Sequence, residues 1–271
     1  MALSNWMSRR ALSTGLLFMC ALAPVSASAR MVCTLVADAV TGGEIHREGD
    51  CATPRSPAST FKVVLAVIGF DTGFLKSPHE PVMKWKKGDA DWGEGWREPT
   101  DPTSWLKNSV LWYSQRMAAA LGAPRMEDYL RRFDYGNADM SGDPGKDNGL
   151  VRSWISSSLQ ISPEEQVRFV SGLATRRLPV SAQAMELTVK SMEELSAGGW
   201  RVKGKTGSYF PRQADGTFDR AHGWGWFVGF AEKDGRRIAF ARLDQDEKRD
   251  RRPAGRRVRA SLLEALPGLV K

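Results

Sequence analysis

Histidine and cysteine are scarce in this sequence. The three histidines, His46, His79 and His222, are scattered and lack the spacing of metal ligands. The three cysteines, Cys20, Cys33 and Cys51, form no thiolate cluster, so no resident metal is expected. After residue 29 no apolar run is long enough to span a membrane. No internal repeat or low-complexity tract occurs, which excludes solenoid and linker-like architectures. Charge of one sign is also limited: the net +8 falls to +6 when Arg9 and Arg10 are set aside. The densest basic stretch, Lys248 to Arg259, also holds Asp250. It reads as a solvated face, and no nucleic-acid partner is expected.

What is present suffices for one large domain, or two lobes sharing a core, in 271 residues that are 42% hydrophobic. The N-terminus has the form of a signal peptide. Arg9-Arg10 make a basic start, Ala11 to Ala23 a short apolar stretch, and Ala27-Ser28-Ala29 a small-residue cleavage site. Cleavage near Ala29/Arg30 would leave residues 30–271 as an exported, periplasmic domain without a membrane anchor. Met19 is too bulky to precede a lipidated Cys20. Export permits disulfides. Residues 34–40 and 44–47 read as two strands joined by a turn. Centred on Gly42, that hairpin sets Cys33 opposite Cys51. A cross-strand disulfide there is worth about 3 kcal/mol in the chain-entropy model; two buried free thiols are the alternative.

The apolar run Phe61 to Phe70 reads as a buried helix, and Ser59-Thr60-Phe61-Lys62 stands at its head. Ser59 and Lys62, three residues apart, share a helix face. An apolar setting disfavours the ammonium form of Lys62. A serine hydroxyl becomes a competent nucleophile when a neighbouring base takes its proton. The helix start also offers unpaired N–H groups for an oxyanion. Ser-x-x-Lys by itself occurs often in caps and surface helices, so the pair needs partners elsewhere.

The rest of the chain is mixed. Residues 71–103 read as loop; the acidic spacing in residues 88–96 only faintly resembles a calcium loop and lacks its full ligand pattern. Residues 104–133 read as helical with a break at Gly122-Ala123-Pro124, and 134–153 as loop. Ser162-Pro163-Glu164-Glu165 starts a helix to about Arg177, and another runs from Ser181 to about Leu195. Strands are expected at Trp200 to Lys205, Gly223 to Ala231 and Arg236 to Leu243, with a hairpin turn at residues 232–235 and a last helix from about Arg257 to Leu266. The economical fold is α/β of the α+β type: an antiparallel sheet built from both termini with a helical lobe inserted between. The Ser59 helix would then sit at the lobe junction, where pockets form.

Three segments could serve Ser59. Ser109, at an expected helix start, can relay a proton to a leaving nitrogen. Lys205 and Thr206 can hold a substrate carboxylate, Gly207 permits close approach, and the N–H of Ser208 can join that of Ser59 around an oxyanion. The Trp154 indole is a donor only and suits a buried negative charge, or a plain core position.

In this order and spacing, Ser59-x-x-Lys62, Ser109, Tyr135-Gly136-Asn137 and Lys205-Thr206-Gly207 resemble the class D, or oxacillinase, serine β-lactamases. Trp226-Phe227-Val228-Gly229 matches that family's Trp-[Phe/Trp]-x-Gly strand, and the resemblance covers residues 30–271. It implies a transpeptidase-like fold and hydrolysis of β-lactam antibiotics through a Ser59 acyl-enzyme, hence resistance. It also implies that CO2 or bicarbonate carboxylates Lys62 to N6-carboxylysine, a general base with the Trp154 N–H as one donor. An arginine near the last helix would hold the substrate carboxylate. Arg257 is the best match, with Arg256 and Arg259 as alternatives. The chain departs from the pattern at Leu111, where Ser-x-Val is usual, and at Ser208, where bulkier residues are common. Substrate range would depend on Trp105, Leu111 and Tyr209. The molecule would be a monomer or weak dimer. The rivals are a penicillin-binding transpeptidase and a β-lactam sensor, which acylate without hydrolytic turnover. Gly199 to Thr206 also fits the P-loop expression, but Gly207 to Pro211 is a poor helix start, and a P-loop must open a helix.

Overall fold

The computed structural model describes Met1 and residues 29–271. Apart from Met1 and Ala29, the expected signal segment lies outside the described residues. In chain order, β1 (Ala29–Asp38) and β2 (Glu44–Gly49) precede a single 3-10 turn, Ala58–Thr60, and α1 (Phe61–Asp71). The helices α2 (Pro102–Asn108), α3 (Leu111–Leu121), α4 (Ala123–Arg132), α5 (Gly149–Arg152), α6 (Pro163–Ala174) and α7 (Ala182–Ser191) follow. The chain closes with β3 (Glu194–Ala197), β4 (Trp200–Tyr209), β5 (Trp224–Lys233), β6 (Arg236–Asp246) and α8 (Ala254–Leu269).

The six strands form one sheet in the order β2-β1-β6-β5-β4-β3, with all neighbours antiparallel. The first strand therefore pairs with the last, joining the two ends of the chain at the middle of the sheet. Helices cover both faces. Along β5, Trp226, Val228 and Phe230 enter the large core with α1 and α6, while Phe227 and Ala231 enter a smaller core with Val258, Leu262 and Leu266 of α8. This is the two-residue period of a strand, with apolar residues on both faces because both faces are covered. The first ten residues of α1 are all buried, and a helix apolar all round belongs in a core.

Several boundaries differ from expectation. The helical stretch starts at Pro102, which the Asp101 capping box stops at its N-terminus, and it breaks a second time at Ser109. Ser109 is thus the left-handed C-cap of α2 (φ 58°), and Val110 is the N-cap of α3. The helix α7 stops at Ser191 because Met192 turns extended, and Glu194–Ala197 becomes the edge strand β3. So Gly199 to Thr206 does follow a strand, but it runs into β4 rather than a helix, and no phosphate-binding helix start exists there. The Lys205-Thr206-Gly207-Ser208 segment lies within β4 rather than at its end. The turn after β5 is only Asp234-Gly235, both at positive φ, as a tight two-residue hairpin requires.

Cys33 and Cys51 are disulfide-bonded, with Cα atoms 5.1 Å apart. The register, however, pairs Cys33 with Gly49. Gly49, at φ +80°, ends β2; a Cβ there would lie 2.1 Å from the Val32 carbonyl. The chain bends at this glycine, and Cys51 meets Cys33 from beyond the strand end.

Candidate active site

Ser59 sits in the 3-10 turn ahead of α1, between Ala58 at φ 50° and Thr60. The turn is fastened by groups without a sequence signature. Thr60 donates its hydroxyl to the Pro57 carbonyl at 2.7 Å and accepts from Gln166 Nε2 at 2.8 Å. Ser56 is a buried hub. Its hydroxyl donates to the Trp154 carbonyl (3.0 Å) and accepts the Ser156 N–H (3.0 Å), while its carbonyl accepts Trp226 Nε1–H (3.0 Å). One residue thereby ties the nucleophile turn to β5 and to the Trp154 segment.

One turn on, Lys62 has no exposed surface and reaches Ser59 Oγ with its Nζ at 3.1 Å. Among the described residues it forms no salt bridge. Burial drives its pKa well below the ordinary lysine value, and the charge of Lys205 pushes it further. The neutral amine is a base within reach of the serine proton.

A second serine–lysine pair faces the first. Lys205 Nζ donates to Ser109 Oγ at 3.0 Å and to the Thr206 carbonyl at 2.9 Å. Burial lowers its pKa to about 7, with Arg259 adding to the fall and Glu193 opposing it. Ser109 holds a left-handed conformation, costing a non-glycine residue about 1–3 kcal/mol; such strain is commonly kept at functional sites. Both pairs border a cavity of about 530 Å³, lined also by Trp92, Trp96, Leu111, Ile155, Thr206 and Arg256. Of the three residues expected to shape it, only Leu111 lines this cavity. Trp105 is buried and donates to Ser114, and Tyr209 stacks on Trp224.

Gly207 explains why β4 and the nucleophile turn lie so close. A Cβ at this position would lie 2.8 Å from the Pro57 carbonyl and 3.2 Å from Thr60 Cγ2. The glycine admits the turn itself, rather than leaving space only for a ligand. Ser208 is exposed; its hydroxyl accepts the Gly255 N–H at 2.9 Å, which fixes the start of α8 against β4.

Trp154 is fully buried, and its indole lies 5.3 Å from Phe61, the neighbour of Lys62. The Nε1–H has no acceptor, an arrangement buried donors rarely keep. Tyr135-Gly136-Asn137 clamps this segment: Asn137 donates to the Ser158 carbonyl and accepts the Gln160 N–H. A side chain at Gly136 would strike the Gln160 carbonyl. The three arginines near the last helix separate clearly. Arg257 is committed to Asp246, at 2.6 and 2.8 Å, and stands outside the cavity lining; Arg259 pairs with Glu193 at 3.1 Å; Arg256 lines the cavity. Helical phase accounts for this, since successive residues point about 100° apart. Among the described residues no cluster of His, Cys, Asp or Glu is arranged to hold a metal.

A sheet made from both termini, with Ser-x-x-Lys facing Lys-Thr-Gly across a cleft, defines a class of acyl-transfer proteins, and comparison with known proteins agrees. The profile of the penicillin binding protein transpeptidase domain matches residues 32–267. The β-lactamase OXA-9 of Klebsiella pneumoniae is 40% identical over 265 residues, covering 94% of this chain and 96% of the relative. The β-lactamase OXA-1 of Escherichia coli is 37% identical over 213 residues, covering 77% and 74%. The crystal structure of the class D β-lactamase OXA-427 superposes with a TM-score of 0.82 at 43% identity, covering 89% of this chain and 98% of that one. The chain belongs to the penicillin-binding transpeptidase family and, within it, to the class D β-lactamases.

Proposed function

We propose that this protein hydrolyses the amide bond of penicillins and related β-lactams through a Ser59 acyl-enzyme, and so confers resistance to them. The observation that carries this reading is the fully buried Lys62, without a counter-ion and in contact with Ser59 Oγ. Ser59 Oγ attacks the lactam carbonyl carbon as its proton passes toward Lys62. The N–H groups of Ser59 and Ser208 hold the oxyanion. The C–N bond then breaks, and the Ser109 hydroxyl delivers a proton to the departing nitrogen while Lys205 fixes that hydroxyl. Lys205, Thr206 and Arg256 bind the substrate carboxylate. Arg257 serves indirectly, by anchoring the start of α8 through Asp246. Water finally attacks the ester and frees Ser59.

A lysine carboxylated by CO2 fits this pocket, because only a neutral amine adds CO2 and because the unpaired Trp154 N–H can donate to the anion. Bound in this way, CO2 would supply a general base for acylation and for activating the hydrolytic water. The expected form is a periplasmic enzyme, freed of residues 1–29, acting as a monomer or weak dimer.

The test is turnover of benzylpenicillin and a chromogenic cephalosporin by residues 30–271, with and without bicarbonate. Fast, bicarbonate-dependent turnover is expected. The Trp154→Phe variant should need more bicarbonate for half-maximal activity. Stoichiometric acylation with no turnover, whatever the bicarbonate, would instead favour a penicillin-binding transpeptidase or a sensor.

A further inference from the structure

Beyond the Ser59 cavity lies a second compartment of about 590 Å³, reached along the end of β4. It shares Trp92, Ile155, Ser208 and Pro253 with the serine cavity, and Ser59 does not border it. Its own walls are aromatic: Tyr209, Phe210, Phe218 and Trp224. Tyr209 and Trp224 stack with ring planes within 6°. Arg220 lies 5.4 Å from the Phe210 ring, and Arg212 lies 4.7 Å from that of Phe218. These cations cover one face of each ring and fix its orientation. Gly223 keeps a wall bare, since a Cβ there would lie 3.2 Å from the Phe210 ring. At the doorway Trp92 is 68% exposed, although it is one of the largest apolar side chains in the molecule. A tryptophan this uncovered beside a cavity offers a face for something to stack on.

The charge of the compartment is one-sided. Arg152, Arg220, Arg251 and Arg252 line it with Asp246 and Asp250. Both carboxylates are already ion-paired, Asp246 with Arg257 at 2.6 Å and Asp250 with Arg252 at 3.0 Å. An ammonium group entering here would find no free carboxylate.

Lactam geometry says which part of a substrate would arrive. The ring carboxylate lies on the nitrogen side of the carbonyl and the acylamino side chain on the other. With the carboxylate at Lys205, Thr206 and Arg256, the side chain runs down β4, past Ser208, toward Tyr209 and Phe210. We propose, resting on the hydrolase reading above, that this compartment is a subsite for an aryl acyl side chain without positive charge. Phe210 and Phe218 select for the aryl group from inside the compartment, and Trp92 covers it from the doorway.

The readout is the second-order rate of Ser59 acylation, followed by quenched-flow intact mass, with three probes. These are benzylpenicillin, 6-aminopenicillanic acid, which lacks the acyl group, and α-aminobenzylpenicillin, which adds an ammonium. The variant Phe210→Ala/Phe218→Ala should acylate about tenfold more slowly with benzylpenicillin, as expected for lost aromatic contacts. With 6-aminopenicillanic acid it should change by less than about twofold, which also shows that the fold and the serine site are intact. Phe210→Leu should keep an intermediate rate, and the wild-type protein should react with benzylpenicillin several-fold faster than with its α-amino analogue. Equal losses on both penicillins, or no loss on benzylpenicillin, would overturn the subsite. Acylation with the expected selectivity but no hydrolysis would overturn the hydrolase reading and leave the subsite standing. Acylation by none of the probes would overturn both.

Discussion

The two walls of the cleft each present a lysine, and the two lysines are treated differently. On the α1 wall, Lys62 is sealed among apolar residues with Ser59 Oγ as its hydrogen-bond partner. On the β4 wall, Lys205 is almost as buried but makes two hydrogen bonds and feels Glu193 nearby. Burial lowers both pKa values, and the difference lies in what opposes it. No carboxylate supports the charge of Lys62, whereas Glu193 offsets part of the cost at Lys205 and leaves it near 7. One wall therefore stores a base and the other a cation that is only marginally held. The neutral Lys62 exerts no charge on Lys205, while Lys205 pushes Lys62 down further, so the asymmetry reinforces itself.

The comparison can be broken most strongly at Lys62. Lys62→Ala should lower kcat by about 10³-fold, and any acyl-enzyme formed should persist in intact-mass spectra. Rapid turnover by this variant would remove Lys62 from the role of base. Lys205→Ala should cost about 10²-fold in kcat/KM, carried mainly by KM, because it loses a charge-assisted contact to the substrate carboxylate. Gly207→Ala forces the two walls apart. It should cost about 1–3 kcal/mol of stability in thermal unfolding, with a parallel loss of kcat.

The smallest effect is the sharpest. Lys205 is cationic below about pH 7 and neutral above it, so KM for a penicillin should rise as pH climbs through that value. Glu193→Gln removes the charge that raises the Lys205 pKa, so the KM limb should move to lower pH, with a few-fold higher KM at neutral pH. Stability follows the opposite sign. The folded pKa of about 7 lies below the ordinary 10.5, so between those values unfolding takes up a proton and this group makes the fold more stable as pH rises. A KM flat from pH 6 to 9 in both proteins would dissolve the distinction between the walls.

Much of this was legible in the sequence. The uninterrupted apolar run after Ser59 could only be a central helix, and the late alternating strands could close only with the first one. The motifs carried Ser59, Lys62, Ser109 and Lys205 into one cavity. What escaped had non-local causes. The break at Ser109 depends on a left-handed residue that local propensity disfavours. The edge strand β3 is four residues long and paired only with β4, so its pattern was lost at the end of a helix. Arg256 and Arg257 are neighbours in sequence, and only the helix phase and the presence of Asp246 separate them. Ser56 shows no pattern at all, because its three bonds reach about 100 and 170 residues along the chain.

The pairing of β1 with β6 also governs when the protein becomes dangerous to a lactam during its own synthesis. Ser59 and Lys62 leave the ribosome early, yet the strand opposite them is made only after residue 199, and the strand that locks the sheet to β1 ends at Asp246. Contacts so distant along the chain form last. A growing polypeptide therefore carries its nucleophile for most of its elongation in an unarmed state, with an ordinary charged lysine in water. The reactive pair comes into being only when nearly the whole polypeptide has been made, which couples chemical competence to completion of the chain.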